Sequence, residues 1–235
     1  MAAPYFLFKN FVVAQQQCAM KVTADAVMFG AWVPLPEGVR RILDVGCGTG
    51  LLSLMLAQRF SDIHIDAVEL EEAAAKQASE NVANSRYKNR IRVVQADVRN
   101  FEPAASYDFI ICNPPFYTNA PQAAAEKKKM AWHDTHLSLS DVAVLGQKLL
   151  SENGSMAILL PLPGFEMLQT VFNPHWHLQK ILYVNSPGKS SKNRTMSLWG
   201  KEAVTPMEET IYLGAGGLLG NKTAQQLLSP FYLFL

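Results

Sequence analysis

The chain has 235 residues, and 49% of them are hydrophobic, which is enough to fill one sizeable core and excludes a mainly disordered protein. Charged residues make up only 17%, and the net charge of +1 provides no overall attraction to polyanions. Any binding of nucleic acid must therefore come from a local basic patch.

The cysteines and the N-terminal residues indicate in which cellular compartment the protein is expected. Cys18, Cys47 and Cys112 are odd in number and have no Cys-x-x-Cys spacing, so neither a disulfide framework nor a zinc knuckle is predicted. Residues 1–17 lack the basic start and the cleavage pattern of a secretory signal, and no window approaches the roughly 18 apolar residues of a membrane span. We expect a cytoplasmic protein without membrane association, and no feature predicts an obligate protein partner.

From Arg41 onward, short apolar runs alternate with helical patterns, which is typical of βαβ units around a parallel sheet. The predicted strands are Arg41–Val45, Ile63–Glu69, Ile91–Gln95, Tyr107–Cys112 and Ser155–Leu160. The predicted helices are Leu51–Phe60, Glu71–Asn84 and Ser140–Leu150. The pattern predicts a Rossmann-like α/β fold with a mostly parallel central sheet and helices on both faces.

After Pro161 the pattern changes to short strands separated by Pro, Gly and Ser rather than by helices. These strands, predicted as antiparallel additions at the sheet edge, are Leu178–Val184, Thr195–Lys201 and Glu209–Leu213, and a short helix is predicted at Lys222–Leu228. Because no linker or repeat interrupts the chain, we expect a single domain over residues 1–235. It has an N-terminal segment (1–36), a core (37–161) and an edge with a tail (162–235).

A glycine-rich loop follows the first core strand. It contains Asp44, Gly46, Gly48 and Gly50, at the place where an α/β sheet binds a nucleotide-like ligand. Glycines there allow the backbone to pass close beneath the ligand. The spacing fails the Gly-x-Gly-x-x-Gly pattern of dinucleotide enzymes, and no Lys-Ser or Lys-Thr follows as in a P-loop. NAD, FAD and ATP bound in those ways are therefore disfavoured.

Acidic residues end the next two strands. Glu69 lies about 20 residues beyond the loop, where a carboxylate accepts hydrogen bonds from both ribose hydroxyls. Asp97 follows the third strand beside Val98, where its side chain can accept from an adenine amino group. Considered alone, either acid is more simply interpreted as a helix cap or an acidic loop residue than as a binding residue. Together with the glycine loop they predict a pocket for an adenosine without a pyrophosphate, and S-adenosylmethionine fits that description best.

The tetrapeptide Asn113, Pro114, Pro115 and Phe116 follows the fourth strand at the same sheet edge. Two consecutive prolines fix the backbone and leave rigid carbonyl acceptors facing outward. The Asn113 side-chain oxygen and the Pro114 carbonyl can hold both hydrogens of a planar amino group while Phe116 stacks on the attached ring. This arrangement predicts transfer to an aromatic amine or an amide, with orientation rather than a metal or a strong base supplying the rate. The alternative is a Pro-Pro turn that only ends a strand.

These motifs, from Asp44 to Phe116, resemble a class I S-adenosylmethionine-dependent N-methyltransferase with an Asn-Pro-Pro-aromatic motif. Further segments resemble the bacterial tRNA(Val) adenine-N6 methyltransferases, namely Phe8–Phe11, Cys18–Val22 with Asp25, Phe29–Trp32 and Phe231–Leu233. The resemblance implies methylation of N6 of the adenosine immediately 3′ of the anticodon in a valine tRNA. It also implies that Met20–Asp25, with Lys21 and Asp25 as cofactor-binding residues, closes over the methionine end of the cofactor.

Contact with the tRNA anticodon loop would come from residues around the mouth of the site. Tyr117 can add a stacking face for a flipped base, since bases that undergo chemistry leave their stack. The candidates for phosphate contact are Lys127, Lys128, Lys129, Lys189, Lys192 and Arg194. A charge run of this kind is also common on an ordinary solvated surface.

Two other functions remain open. A protein glutamine N5-methyltransferase would use the same tetrapeptide, because an amide is also a planar NH2 group. A protein that binds cofactor and RNA without catalysis is the non-enzymatic alternative. A metal site is not predicted, because no Cys or carboxylate completes a tetrahedral set with the close histidine pairs His133/His136 and His175/His177.

Overall fold

The structure, a computed structural model, describes residues 3–115, 137–185, 194–214 and 216–234. The strands of these residues are β1 (Tyr5–Leu7), β2 (Val12–Ala14), β3 (Arg41–Val45), β4 (His64–Glu69), β5 (Ile91–Gln95), β6 (Tyr107–Cys112), β7 (Leu150–Pro161), β8 (His177–Asn185), β9 (Arg194–Gly200) and β10 (Met207–Tyr212). The helices are α1 (Ala24–Trp32), α2 (Leu51–Arg59), α3 (Glu72–Ala83), α4 (Leu139–Leu149), α5 (Leu162–Phe172) and α6 (Lys222–Leu228). None of the helices described is long and apolar enough to span a bilayer.

Eight strands form the main sheet, in the order β10-β8-β9-β7-β6-β3-β4-β5, and β1 and β2 form a separate antiparallel hairpin. Strands β3 to β7 are parallel to their neighbours within this group. The chain runs outward from β3 through β4 to β5 and then returns to the other side of β3 as β6. A crevice therefore opens between the ends of β3 and β6, where such sheets bind ligands.

Helices cover both faces of this sheet, as the alternation of side chains along each strand requires. Ile42 and Phe109 face a core that includes residues of α1, α2, α3 and α6, whereas Leu43 and Ile110 face a second core formed with α4 and α5. The predicted Rossmann-like α/β class is confirmed.

The direction of the last strands differs from the prediction. In the main sheet as described, only β9 is antiparallel to its neighbours, and it lies inside the sheet between β7 and β8. The outermost strand, β10, pairs with β8 in parallel. β10 is parallel to β8 because the chain reverses direction after β9, which is antiparallel to β8, and then passes to the far side of β8.

Helix α5 was not predicted, because Pro161 and Pro163 look like breakers after an apolar strand. Pro161 instead precedes the helix as its cap residue, and Pro163 lies in the first turn. Proline is tolerated there, since the first N–H groups of a helix have no partner within the helix. Phe165, Leu168 and Phe172 then bury one face of α5 in the second core.

Candidate active site

The ends of four adjacent strands bring the sequence motifs to one edge of the sheet. Val45, at the end of β3, pairs with Cys112 at the end of β6 and with Val68 of β4, and Glu69 pairs with Gln95 of β5. Neighbouring strands lie about 5 Å apart. The glycine loop and the tetrapeptide therefore leave the sheet side by side.

The glycine loop turns back over the end of β4. The backbone N–H groups of Gly46 and Cys47 both donate to the carbonyl of Val68, at 2.9 and 3.1 Å. Gly46 and Gly48 have positive φ angles of 66° and 54°, and a Cβ atom on either would meet no atom within 4 Å. Both residues line a cavity of about 790 Å3. The absence of side chains there leaves room for a ligand against the backbone.

Two of the predicted cofactor residues lie behind the loop rather than on the cavity wall. Gly50 precedes α2 with φ +77°, and a Cβ atom there would lie 3.5 Å from the Cβ of Ala78 in α3. Asp44 is fully buried, and its Oδ2 accepts the backbone N–H and the hydroxyl of Ser53 at 3.1 and 2.6 Å. Its Oδ1 has no hydrogen-bond partner among the described residues. Complete burial raises the pKa of Asp44 to about 6, against the lowering effect of the Ser53 hydrogen bonds.

Glu69 lies on the cavity wall, and each of its oxygens accepts one backbone hydrogen bond. Oε2 accepts from Gly48 N at 2.8 Å and Oε1 from Glu71 N at 3.0 Å. A carboxylate has about four acceptor positions, so capacity remains for two hydroxyl donors. The contact with Gly48 also fixes the distance between the glycine loop and this acid.

Asp97 and Val98 line the cavity beyond Glu69. Both oxygens of Asp97 accept from the Arg99 guanidinium, at 2.7 to 3.0 Å, and one also accepts from Arg99 N. These hydrogen bonds lower the pKa of the Asp97 carboxyl. Asp97 is therefore a cap residue for the short 3-10 turn Val98–Asn100 as well as a wall residue. Its contact with an adenine amino group stays a prediction.

Asn113 and Pro115 lie on the wall of the same cavity, and Pro114 is buried beneath them. The Asn113 amide donates to the sulfur of Met20 at 3.8 Å, which brings the N-terminal segment against the tetrapeptide. Phe116 lies outside the described residues, so its stacking role stays a prediction. Burial raises the pKa of the Cys18 thiol, also on this wall, to about 11, so that thiol is neutral and a poor nucleophile.

The N-terminal segment supplies a further wall, formed by residues 18–22. The ammonium of Lys21 donates to three backbone carbonyls of this segment: Gln15 at 2.5 Å, Cys18 at 2.8 Å and Gln16 at 3.3 Å. An ammonium has three hydrogens, so these contacts use all of its donors. Lys21 therefore stabilises the segment in this structure, and a direct contact with the cofactor stays a prediction.

Most of the residues predicted to bind nucleic acid lie outside the described residues: Tyr117, Lys127, Lys128, Lys129, Lys189 and Lys192. Arg194 begins β9 and forms an ion pair with Asp25 in α1, at 3.0 Å. Asp25 is thus engaged by Arg194, and it is not among the residues that line the cavity. In the described part of the chain, no three His, Cys, Asp or Glu side chains are grouped to hold a metal ion.

No role at the site was predicted for Ser53, Thr49 or Asn81, and Met20 was included only as part of the segment Met20–Asp25. Ser53 supports Asp44, Thr49 and Met20 line the cavity, and Asn81 of α3 hydrogen-bonds to the loop through the carbonyl of Thr49. Met20 falls in a segment singled out only by resemblance. Asn81 is one polar residue in a helix rich in Ala, Glu and Gln, and no local pattern distinguishes it.

Comparison with known proteins gives consistent matches. A family model described as methyltransferase small domain matches residues 33–173. The tRNA1(Val) (adenine(37)-N6)-methyltransferase of Tolumonas auensis is 37% identical over 215 residues, covering 91% of this chain and 90% of that protein. The protein of the same name from Escherichia coli O157:H7 is 36% identical over 234 residues, covering 98% and 95%.

Among solved structures, Atu636 from Agrobacterium tumefaciens, described as a predicted O-methyltransferase, has a TM-score of 0.59 at 16% identity, covering 80% of this chain and 84% of that one. The fold is thus that of a class I methyltransferase domain. The chain belongs to the methyltransferase small domain family and, within it, to the tRNA1(Val) (adenine(37)-N6)-methyltransferases. The predicted family and methyltransferase activity are confirmed.

Proposed function

We propose that this protein transfers a methyl group from S-adenosylmethionine to the exocyclic N6 amine of adenosine 37 in a valine tRNA. The observation that carries the proposal is the shared cavity wall. Asn113 and Pro115 of the tetrapeptide face the same cavity as Gly46, Gly48 and Glu69. A methyl donor held by the glycine loop and an amine held by Asn113 would therefore lie within reach of one displacement.

The residues present fit S-adenosylmethionine. The loop glycines leave open space where side chains would otherwise be, and Glu69 keeps free acceptor positions for the two ribose hydroxyls. Val98 and Asp97 stand further along the same wall, at the place assigned to the adenine. When bound, S-adenosylmethionine supplies an electrophilic methyl group on a sulfonium, and no phosphate needs to be accommodated.

The chain's own groups act on the acceptor amine. The Asn113 oxygen and the Pro114 carbonyl accept its two hydrogens, which localises the nitrogen lone pair toward the methyl carbon. With the donor bound, the amine nitrogen held by Asn113 and Pro114 would take the methyl group and release one proton to solvent, and the donor would leave as a neutral thioether that retains the electron pair of the broken C–S bond. Orientation of this kind can contribute about 7 to 11 kcal/mol to the barrier reduction, so no strong base is required.

The variant Asn113→Ala tests this role. We expect methyl transfer to fall at least 100-fold while the Kd for S-adenosylmethionine, measured by calorimetry, changes less than threefold, because Asn113 acts on the amine. Asn153→Ala is the matched control, since Asn153 is exposed near the start of β7, at the opposite edge of the sheet. Equal loss of cofactor binding and transfer would assign Asn113 to the cofactor instead.

The acceptor is tested with total tRNA from a strain that lacks this enzyme, incubated with labelled S-adenosylmethionine. We expect ribonuclease-sensitive label that maps to adenosine 37 of a valine tRNA. Label that survives ribonuclease and is lost with protease would indicate a glutamine N5-methyltransferase. Cofactor and tRNA binding without any label would indicate a non-catalytic binding protein.

The proposal also covers partner and location. The anticodon loop is single-stranded, so the adenosine can leave its stack at a cost of about a few kcal/mol. Tyr117, Lys127, Lys128, Lys129, Lys189, Lys192 and Arg194 remain the proposed tRNA contacts. Modification of tRNA is consistent with a cytoplasmic location.

A further inference from the structure

The N-terminal wall of the cavity has almost no regular secondary structure of its own. The covering segment, residues 15–22, lies between the end of β2 and the start of α1. Its residues 18–22 line the cavity, and Met20 reaches Asn113. Gln15 is tied to the N-terminal hairpin, because its backbone N–H donates to the carbonyl of Pro4 at 3.0 Å, but residues 16–22 belong to no strand or helix, so their position depends on other contacts.

Asn81 of α3 forms hydrogen bonds with Ala14, the residue that immediately precedes the covering segment. Its side-chain oxygen accepts from Ala14 N at 2.9 Å, and its amide nitrogen donates to Ala14 O at 2.8 Å. The second amide hydrogen goes to Thr49 O at 2.9 Å. Asn81 is only 4% exposed, so these bonds are shielded from competition with water.

Thr49 belongs to the glycine loop and lines the cavity. One buried amide thus connects α3, the glycine loop and the last residue of β2. Hydrogen bonds also join the two ends of the covering segment. The side-chain oxygen of Gln15 accepts from Val22 N at 2.7 Å, and the ammonium of Lys21 donates to three backbone carbonyls of the segment. Asn81 is the residue whose hydrogen bonds reach both Ala14, which leads into this segment, and Thr49 of the glycine loop, while Gln17 N of the segment also donates to Gln77 Oε1 of α3 at 3.5 Å.

We propose that Asn81 is a positioning residue for the methyl donor, because it holds the glycine loop and the start of the covering segment at a fixed separation, and residues of both the loop and the segment line the cavity. It touches neither the donor nor the amine and acts through Thr49 and Ala14. This inference rests on the proposed function, since it assigns the cavity to S-adenosylmethionine.

Asn81→Asp is the sharpest test. The variant preserves size and the acceptor for Ala14 N, but a carboxylate cannot donate, so two buried carbonyls would face a negative charge. We expect the Kd for S-adenosylmethionine to rise at least tenfold, while kcat at saturating cofactor stays within threefold. Trypsin cleavage after Lys21, mapped by mass spectrometry in the absence of cofactor, should accelerate at least tenfold as the covering segment loosens.

Asn84→Asp is the matched control, because it makes the same chemical change on the exposed C-terminal end of α3. It should leave the Kd and the cleavage rate unchanged. If Asn81→Asp does not fold, Asn81→Ser is measured by the same criteria, since a hydroxyl introduces no charge and is tolerated more easily. An unchanged Kd, or a fall in kcat at unchanged Kd, in a folded Asn81 variant overturns the inference. Failure of the wild-type protein to bind S-adenosylmethionine overturns the proposed function, and the cleavage result remains a separate measure of the covering segment.

Discussion

Asp44 is a carboxylate buried beneath the glycine loop, and burial of this kind disfavours its charged form. Two hydrogen bonds from Ser53 stabilise its charge, but complete burial outweighs them and raises its pKa from 3.8 to about 6. Between these two pH values the folded chain binds a proton that the unfolded chain does not bind. The contribution of Asp44 to stability is therefore greatest below about pH 4 and declines as the pH rises through 6.

Asp44→Asn should remove this dependence on pH. The rise in pKa corresponds to about 3 kcal/mol, so the wild-type chain should lose about that much stability relative to the variant between pH 4 and pH 7. Unfolding by urea at several pH values, compared between the two proteins, gives the difference directly. A constant difference across this range would show that Asp44 does not titrate there.

At the scale of elements, the packing of α4 depends on a glycine. A Cβ atom on Gly146 would lie 2.6 Å from Met156 Cε and 2.7 Å from a ring carbon of Trp176. Both neighbours are buried, so α4 approaches β7 and the residues after α5 only because no side chain intervenes. Helix propensity alone would favour alanine at this position.

The variant Gly146→Ala tests the balance between a gain in helix propensity and the steric overlap with Met156 and Trp176. Alanine gains about 0.5–1 kcal/mol in helix propensity, whereas overpacking costs about 1–3 kcal/mol. We therefore expect a net loss of up to about 2.5 kcal/mol in the free energy of unfolding, measured by urea denaturation. Val144→Ala on the same helix is the control, because Val144 is 59% exposed and should change stability by less than about 0.5 kcal/mol. A stabilised Gly146→Ala would show that the indole and the methionine can move aside.

At the scale of the whole molecule, the two ends of the described chain pack together. The carbonyl of Phe231 accepts from Lys9 N at 2.8 Å, and the ring of Tyr232 lies 5.8 and 6.2 Å from the rings of Phe6 and Phe8. Phe231 itself is fully buried in the core that α1 and α2 share. The N-terminal hairpin, which leads into the covering segment, is therefore supported by the C-terminal tail.

Phe231→Ala should destabilise the fold by about 3–5 kcal/mol, because it leaves a large cavity at this junction. Phe234→Ala removes the same side chain three residues later, where it is 96% exposed, and should cost less than about 0.5 kcal/mol. Thermal and urea unfolding of the two variants measure the contrast. Similar losses in both would mean that the tail packs differently from this arrangement.

Local signals were sufficient for the core of the fold. Strands β3, β5 and β6 and helix α6 have the predicted bounds, because alternation, helix formers and breakers all act over a few residues. The glycine loop, Glu69, Asp97 and Asn113–Pro115 likewise lie where they were predicted, at the ends of their strands, since each strand end can be read from the sequence. Parallel strands then require these motifs to share one edge.

Local sequence patterns were enough to predict the α/β class, the family and the edge of the sheet where the cavity lies, because each depends on features repeated along the chain. Other features became visible only in the folded chain. The tertiary structure placed β9 inside the sheet, started α5 at a proline, put Asp44 and Gly50 behind the loop, and brought Asn81 to Ala14 and Thr49. Each of these depends on contacts between residues distant in sequence, and no local pattern specifies which distant residues will meet.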